Sequence, residues 1–256
     1  RVLFRSLASA VSLAGGASVG QYGPLVHFGG VIGDYFSKLT KDQTSPHILL
    51  ASGAAAAISS GFGAPFAGLV FAHEVIVRHF SLKAVAPILI SSVVAHTIST
   101  EFYSSEPILQ SNVGGIVNFS EVILLAILGI IAALVASLYM RGLTGYLPIP
   151  KKIPNYFLPV LAGIICGIVG LFLPETLGLG TDFIRNLIEH PVKLNYVIFL
   201  LIGKIFLTVI CIRLNLFGGI FSPALFIGAT TGCIFATISQ YFFPDLNYSL
   251  FAVAGL

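Results

Sequence analysis

Two short segments carry the residues whose types and spacing suggest a binding chemistry. The first reads Gly-Gln-Tyr-Gly-Pro from Gly20 to Pro24, and the second reads Gly-Ile-Phe-Ser-Pro from Gly219 to Pro223. Each precedes an apolar run, and proline suits the first turn of a helix. The N–H groups of that turn have no intrahelical partner and lie at the positive end of the helix dipole, so they can bind an anion. The candidate anion-binding residues are Gly20, Gln21, Tyr22, Gly23, Pro24, Gly219, Ile220, Phe221, Ser222 and Pro223.

Either segment alone also fits a tight turn whose glycines let helices pack closely. The second copy favours anion binding, because packing alone rarely repeats the order glycine, aromatic residue, proline. Neither segment contains lysine or arginine. Partial charges hold an ion without trapping it, and rapid conduction needs an ion that can leave. The two segments therefore predict a site for a mobile anion.

The composition predicts the setting of these segments. The chain has 256 residues, of which 56% are hydrophobic and 9% charged, whereas soluble domains carry about 25% charged residues. With a mean hydropathy of +0.98, it is predicted to be an all-α, polytopic membrane protein. A spanning helix needs roughly 20 apolar residues, so the chain allows about eight to ten segments, several of them too short to cross alone. Short, glycine-interrupted segments are typical of transporter sites at repeat interfaces.

Charge and cysteine content exclude other classes of partner. A net charge of +3 is too small and too scattered for nucleic-acid binding. The cysteines, Cys166, Cys211 and Cys233, lie in apolar runs without metal-ligand spacing, and we interpret them as packing residues. We therefore expect no metal, no cofactor and no enzymatic activity. The expected partners are a small anion and the lipid bilayer.

The motifs resemble those of the CLC family of chloride channels and chloride/proton exchangers. Gly20–Pro24 is similar to the family's Gly-Lys/Arg-Glu-Gly-Pro element, and Gly218–Pro223 is similar to its second pore element. Residues 53–74 are similar to the stretch that follows the first element. The resemblance implies an inverted repeat of tilted and broken helices, with residues 1–118 in the first repeat and 119–256 in an incomplete second one. It also implies a homodimer with one pore per subunit, in a plasma membrane or bacterial inner membrane.

Two positions depart from the family pattern. Tyr22 stands at the gating position, where the family usually has a glutamate that competes with anions and carries protons in exchangers. Val75 stands where exchangers typically place an inner proton-relay glutamate. A tyrosine hydroxyl ionises only near pH 10 in model peptides, so neither residue supplies a shuttling carboxylate. Tyr22 remains open to three interpretations: a pore plug, a pore-lining hydrogen-bond donor or a packing residue.

Several ionisable residues outside the motifs have competing interpretations. Glu74 either pairs with Arg78, four residues further on, or lines the ion pathway. His27 and His73 have no clustered ligand partners, and we interpret them as packing or interface residues.

We also expect Lys204 and Arg213, on one apolar helix, to extend toward its opposite ends. The family's early Gly-Ser-Gly-Ile-Pro element and late tyrosine have no counterpart in the sequence, so we expect the chain to lack the first and last helices of the family.

These observations lead to one main hypothesis and two alternatives. The main hypothesis is passive, channel-like or uncoupled chloride transport. The alternatives are a chloride/proton antiporter that uses a different proton route, and a non-conducting structural subunit.

Overall fold

The computed structural model describes most of the chain, namely residues 2–40, 46–79, 81–103, 119–145, 154–244 and 246–256. Within these ranges the protein is helical, and the β-type pairing consists of one isolated β-bridge. The helices are α1 (Val2–Ala14), α2 (Tyr22–Thr40), α3 (Pro46–Phe62), α4 (Pro65–Phe71), α5 (Leu82–Tyr103), α6 (Phe119–Thr144), α7 (Leu158–Phe172), α8 (Thr181–Glu189), α9 (Leu194–Arg213), α10 (Phe221–Gln240) and α11 (Tyr248–Ala254). A π-helix, Ala72–Val77, continues α4, and a 3₁₀ turn, Pro174–Thr176, precedes α8. The predicted all-α class is confirmed.

Helix lengths divide the described residues into two groups. Four helices are long and apolar enough to cross a membrane: Leu82–Phe102 within α5, then α6, α9 and α10. Shorter apolar helices include α3 and α7, with 17 and 15 residues. This mixture agrees with the predicted combination of full-length and broken helices.

The chain forms two compact units. The first comprises Arg1–Ala8 and Gln21–Gln110, and the second comprises Ser9–Gly20 and Ser111–Leu256. The predicted repeat boundary after residue 118 falls at the end of residues 104–118, which lie outside the described residues.

Each motif helix packs closely against the helix that follows it in its own unit. In the first unit, a side chain at Gly29 of α2 would collide with the carbonyl oxygen of Gly53 on α3. In the second unit, a side chain at Gly228 of α10 would collide with the carbonyl oxygen of Gly255, next to α11. Gly29 and Gly228 hold equivalent places in the two motifs, and small residues are what lets membrane helices approach closely. The sequence repeat therefore extends to the packing of each motif helix.

The expectation that Lys204 extends toward an end of its helix is wrong. Its side chain is fully buried in the second unit and does not extend to either end of α9. Nζ donates hydrogen bonds to the carbonyl oxygens of Thr176 at 2.9 Å and Gly178 at 2.8 Å, and it lies 4.9 Å from the centre of the Phe226 ring. Lys204 stands mid-helix, so the nearby carbonyls offer a closer partner than water at the helix ends. Arg213, by contrast, lies in the last turn of α9 and donates to the carbonyl of Gly142 at 3.0 Å.

Candidate functional site

The second motif forms the start of α10. The helix begins at Phe221, and the preceding residue, Ile220, has φ −98° and ψ −6°. No side chain caps the first turn of the helix. Pro223 is the third residue of the helix, where a missing N–H costs no hydrogen bond. The N–H groups of a first helical turn have no intrahelical acceptor, and they carry the positive end of the dipole. This end of α10 has the properties that the sequence predicts for an anion site.

Gly20 and Gly219 pair with each other inside the second unit. They form an isolated antiparallel bridge: Gly20 N–H donates to Gly219 O at 2.6 Å, and Gly219 N–H donates to Gly20 O at 2.5 Å. A Cβ atom at Gly20 would lie 2.8 Å from Ser222 Oγ and 3.1 Å from Ser222 N. Position 20 therefore requires glycine, and the first residues of the two motifs lie together beside the first turn of α10.

Ser222 has a buried hydroxyl without a partner. The residue is 1% exposed, and Oγ makes no hydrogen bond with any described residue. Leaving a buried hydroxyl unsatisfied costs about 1–3 kcal/mol.

Tyr139 supports the turn before α10, and sequence reasoning missed it. This residue of α6 is 4% exposed, and its hydroxyl donates to the carbonyl oxygen of Ile220 at 3.2 Å. The same carbonyl accepts the N–H of Ala224 at 3.1 Å. A single tyrosine in a 26-residue apolar helix carries no spacing signal that could have linked it to the motif.

Tyr22, at the start of the first motif helix, is enclosed within the first unit. It is 2% exposed, its hydroxyl donates to the carbonyl of Gly61 at 3.1 Å, and its ring stacks on Phe62 with the centroids 3.9 Å apart. A Cβ atom at Gly61 would lie 2.6 Å from the Tyr22 ring. A tyrosine hydroxyl has one proton to donate, and here Gly61 accepts it. Of the three interpretations, these contacts favour packing. The remaining residues of the motif continue into α2, where Leu25 N–H donates to Gln21 O at 3.1 Å.

Val75 lies in the π-helix, and it is 47% exposed. Of the two interpretations of Glu74, pairing with Arg78 is wrong. Among the described residues the structure shows an ion pair between Lys38 and Asp34, at 2.6 Å, and none between Glu74 and Arg78. The four-residue spacing fails because the π-helix alters the register. Arg78 then ends the helix with a left-handed φ of 60°.

A cavity of about 510 Å³ lies beside this π-helix within the first unit. Its walls are largely apolar, and its lining includes His73, Glu74, Arg78 and His79. His73 Nδ1 also lies 3.1 Å from the carbonyl oxygen of Leu69.

The described residues contain no group of three or more His, Cys, Asp or Glu side chains that could hold a metal ion. The three cysteines are buried in the second unit, where Cys166 Sγ and Cys211 Sγ lie 3.2 Å apart.

Apolar helices of spanning length, together with shorter apolar helices, are typical of an integral membrane protein. The family model described as "Voltage gated chloride channel" matches residues 1–256. The chain belongs to this family, as its motifs predict.

Individual relatives agree with this assignment. The chain is 28% identical over 257 residues to the H(+)/Cl(-) exchange transporter ClcA of Vibrio cholerae, covering 96% of the chain and 55% of that protein. It is 27% identical over 248 residues to the voltage-gated ClC-type chloride channel ClcB of Escherichia coli, covering 95% of the chain and 59% of that protein. The chain thus spans a little over half the length of these relatives.

Two solved structures have similar folds. A slow cyanobacterial Cl−/H+ antiporter matches with a TM-score of 0.85 at 27% identity, covering 95% of this chain and 59% of that one. A CLC-type fluoride/proton antiporter matches with a TM-score of 0.75 at 21% identity, covering 94% of this chain and 60% of that one, and shows the fold alone.

Proposed function

We propose that the protein moves chloride or a similar small anion across a membrane without coupled proton transport. The observation that carries the proposal is the pairing of Gly20 with Gly219, since it joins the first residues of the two predicted anion-binding motifs. The names of the relatives ClcA and ClcB support chloride as the transported ion. Transport requires no bond to be made or broken in the anion, so we propose no enzymatic role.

For the second motif, the proposed ligands are the backbone N–H groups of residues 220–222. For the first motif, the backbone N–H groups of residues 21–23 remain the ligands that the sequence predicts. Each helix start carries roughly half a positive charge, and a hydrogen bond to a charged group contributes about 1.5–3 kcal/mol. Several such bonds offset the loss of water from the anion. Neither motif contains a full positive charge, so a bound anion remains able to leave.

The absence of proton coupling rests on Tyr22 and Val75. Neither residue titrates near neutral pH, and Tyr22 already donates its hydroxyl proton to Gly61. We therefore propose that Tyr22 holds the start of α2 in place through its contacts with Gly61 and Phe62. We propose that Val75 blocks proton transfer, because it has no group that can carry a proton.

Chloride/proton exchange by another route is the second candidate. It is supported by the name of the relative ClcA and by that of the cyanobacterial structure. In this chain, His73 and Glu74 line the cavity beside the π-helix. In this second candidate, their side chains carry the proton in place of the relay glutamate that Val75 replaces. A homodimeric assembly in the cell membrane, and a non-conducting structural subunit as a third candidate, remain predictions.

Chloride efflux from liposomes tests the proposal. The full-length protein is purified, reconstituted with internal chloride, and compared with protein-free liposomes after an ionophore removes the membrane potential. We expect rapid efflux from the protein-containing liposomes. Efflux at the rate of the protein-free control would support the structural subunit instead.

Locating the anion in a crystal tests the site independently. Crystals of the full-length protein soaked in bromide should show anomalous density next to residues 220–222. Strong density elsewhere among the helices, with none at this turn, would show that residues 220–222 do not form the anion-binding site.

A further inference from the structure

We propose that Cys166 and Cys211 form a site of reversible oxidation, at which a peroxide joins the two thiols in a disulfide that ties α7 to α9. The two cysteines lie on different helices of the second unit, 45 residues apart in the chain. The inference does not depend on which ion the protein transports, and it concerns side chains outside both candidate anion-binding motifs.

The first argument is the distance between the two sulfur atoms. Cys166 Sγ and Cys211 Sγ lie 3.2 Å apart and share a hydrogen bond, in which either thiol can be the donor. The S–S bond of a disulfide is about 2.05 Å long, so the sulfur atoms have to approach each other by about 1 Å. Rotation of the two side chains about their Cα–Cβ bonds can supply a movement of that size.

The second argument is the packing that holds the two thiols together. Cys166 is 3% exposed and Cys211 is fully buried, and both belong to one apolar cluster with Ala17, Val19 and Leu207. A second buried cluster joins α7 to the end of α9. Because closely packed interiors leave side chains little room to move apart, the two thiols remain neighbours.

The third cysteine of the chain provides an internal comparison. Cys233 lies on α10 and is 1% exposed, so it is buried as deeply as the pair. Its sulfur atom lies 3.7 Å from the carbonyl oxygen of Leu187, a group that cannot form a disulfide. Burial among apolar residues therefore does not by itself bring sulfur atoms together, and the pairing is particular to Cys166 and Cys211.

The oxidation consumes one molecule of hydrogen peroxide. The thiolate of one cysteine attacks a peroxide oxygen, the O–O bond breaks, and the departing hydroxide takes up the thiol proton to form water, which leaves a sulfenic acid. The second thiol attacks the sulfenic sulfur, the S–O bond breaks, and a second water molecule leaves. Two thiols are thus oxidised to a disulfide while one peroxide is reduced to two water molecules. Dithiothreitol reverses the reaction by thiol–disulfide exchange.

The disulfide would restrict the unfolded chain. It closes a loop that contains the 3₁₀ turn, α8 and most of α9. A cross-link stabilises a protein mainly by limiting the conformations of its unfolded state, and the effect grows with the logarithm of the loop length. For a span of 45 residues, we expect the temperature of thermal unfolding to rise by several degrees.

Peptide mapping of the oxidised full-length protein tests the inference. The purified protein is reduced, freed of reductant, treated with hydrogen peroxide in detergent and denatured in the presence of an alkylating reagent, and its proteolytic peptides are identified by mass spectrometry. We expect a disulfide between the peptides of Cys166 and Cys211 in the wild type. The same link should form in the matched control Cys233→Ala and be absent from Cys166→Ala. Dithiothreitol should remove it.

Thermal unfolding of the same samples measures the effect of the cross-link. Peroxide should raise the unfolding midpoint of the wild type and of Cys233→Ala, dithiothreitol should restore it, and Cys166→Ala should show no rise. Recovery of Cys166 and Cys211 from the peroxide-treated wild type without a link between them would overturn the inference, and this result requires no variant to fold. A cross-linked wild type with an unchanged midpoint would contradict the proposed tie between α7 and α9.

Discussion

At the scale of single residues, the candidate site depends on backbone geometry and on small side chains. Gly20 lies so close to α10 that a Cβ atom there would be 2.8 Å from Ser222 Oγ and 3.1 Å from Ser222 N, so no side chain fits. No lysine or arginine is present in either motif. Since directed dipoles replace full charges, small steric changes should affect anion transport more than changes in surface charge.

Gly20→Ala should abolish most anion flux. The added methyl group would lie 2.8 Å from Ser222 Oγ and 3.1 Å from Gly219 O, so the paired turn has to shift. The measurement is chloride efflux from liposomes that contain equal amounts of folded protein. Gly129→Ala is the control, because a methyl group there meets no atom of the described residues within 4 Å, and alanine favours the α6 helix. Equal efflux from the two variants would contradict the close approach of Gly20 to α10.

Tyr22→Phe should leave chloride flux within about twofold of the wild type and lower thermal stability slightly. The variant keeps the ring stacked on Phe62 and removes the hydrogen bond to Gly61, a loss of about 1 kcal/mol. Tyr35→Phe is the control, because Tyr35 is 61% exposed. Flux and thermal unfolding are measured on the same preparations. A severalfold loss of flux would show that the Tyr22 hydroxyl serves as an anion ligand.

At the scale of elements, buried polar contacts hold the turns around α10. Tyr139 of α6 fixes the carbonyl of Ile220, and Lys204 of α9 binds two carbonyls of the segment before α8. Lys204 also contacts the ring of Phe226 on α10. The position of α10 therefore depends on polar side chains from α6 and α9 as well as on apolar packing.

Lys204→Met should destabilise the protein by about 1–3 kcal/mol, because it leaves the buried carbonyls of Thr176 and Gly178 without their donor. Thermal unfolding in detergent is the measurement, with Lys38→Met as the control. Lys38 forms an ion pair with Asp34, but its side chain is 72% exposed, and such pairs contribute little. An unfolding midpoint for Lys204→Met equal to that of Lys38→Met would contradict the structural role of Lys204.

The sequence predicted the helical class, because long apolar runs with few charges are a strong signal. It named Gly20 and Gly219 as equivalent motif residues but did not predict that they pair with each other. It did not predict how the buried polar side chains pair. Lys204 was expected at a helix end, although its mid-helix position was already a sign of burial. Tyr139 gave no signal, since its partner lies 81 residues away. Glu74 and Arg78 have the spacing of an α-helical pair, but the chain forms a π-helix there.

At the scale of the whole molecule, the chain belongs to the voltage-gated chloride channel family, which its family model matches over residues 1–256. Among its relatives, ClcB is named as a chloride channel and ClcA as an exchange transporter. The fold is therefore compatible with either mode. Tyr22 and Val75 are the residues of this chain on which the uncoupled mode rests.

Proton movement under a chloride gradient shows whether this protein couples chloride transport to protons. The full-length protein is reconstituted in liposomes with a chloride gradient and no initial pH gradient, and internal pH and chloride are recorded together. We expect chloride to move down its gradient while the internal pH stays at the value of protein-free liposomes. Proton movement against its gradient, in a fixed ratio to chloride, would contradict uncoupled transport and establish chloride/proton exchange.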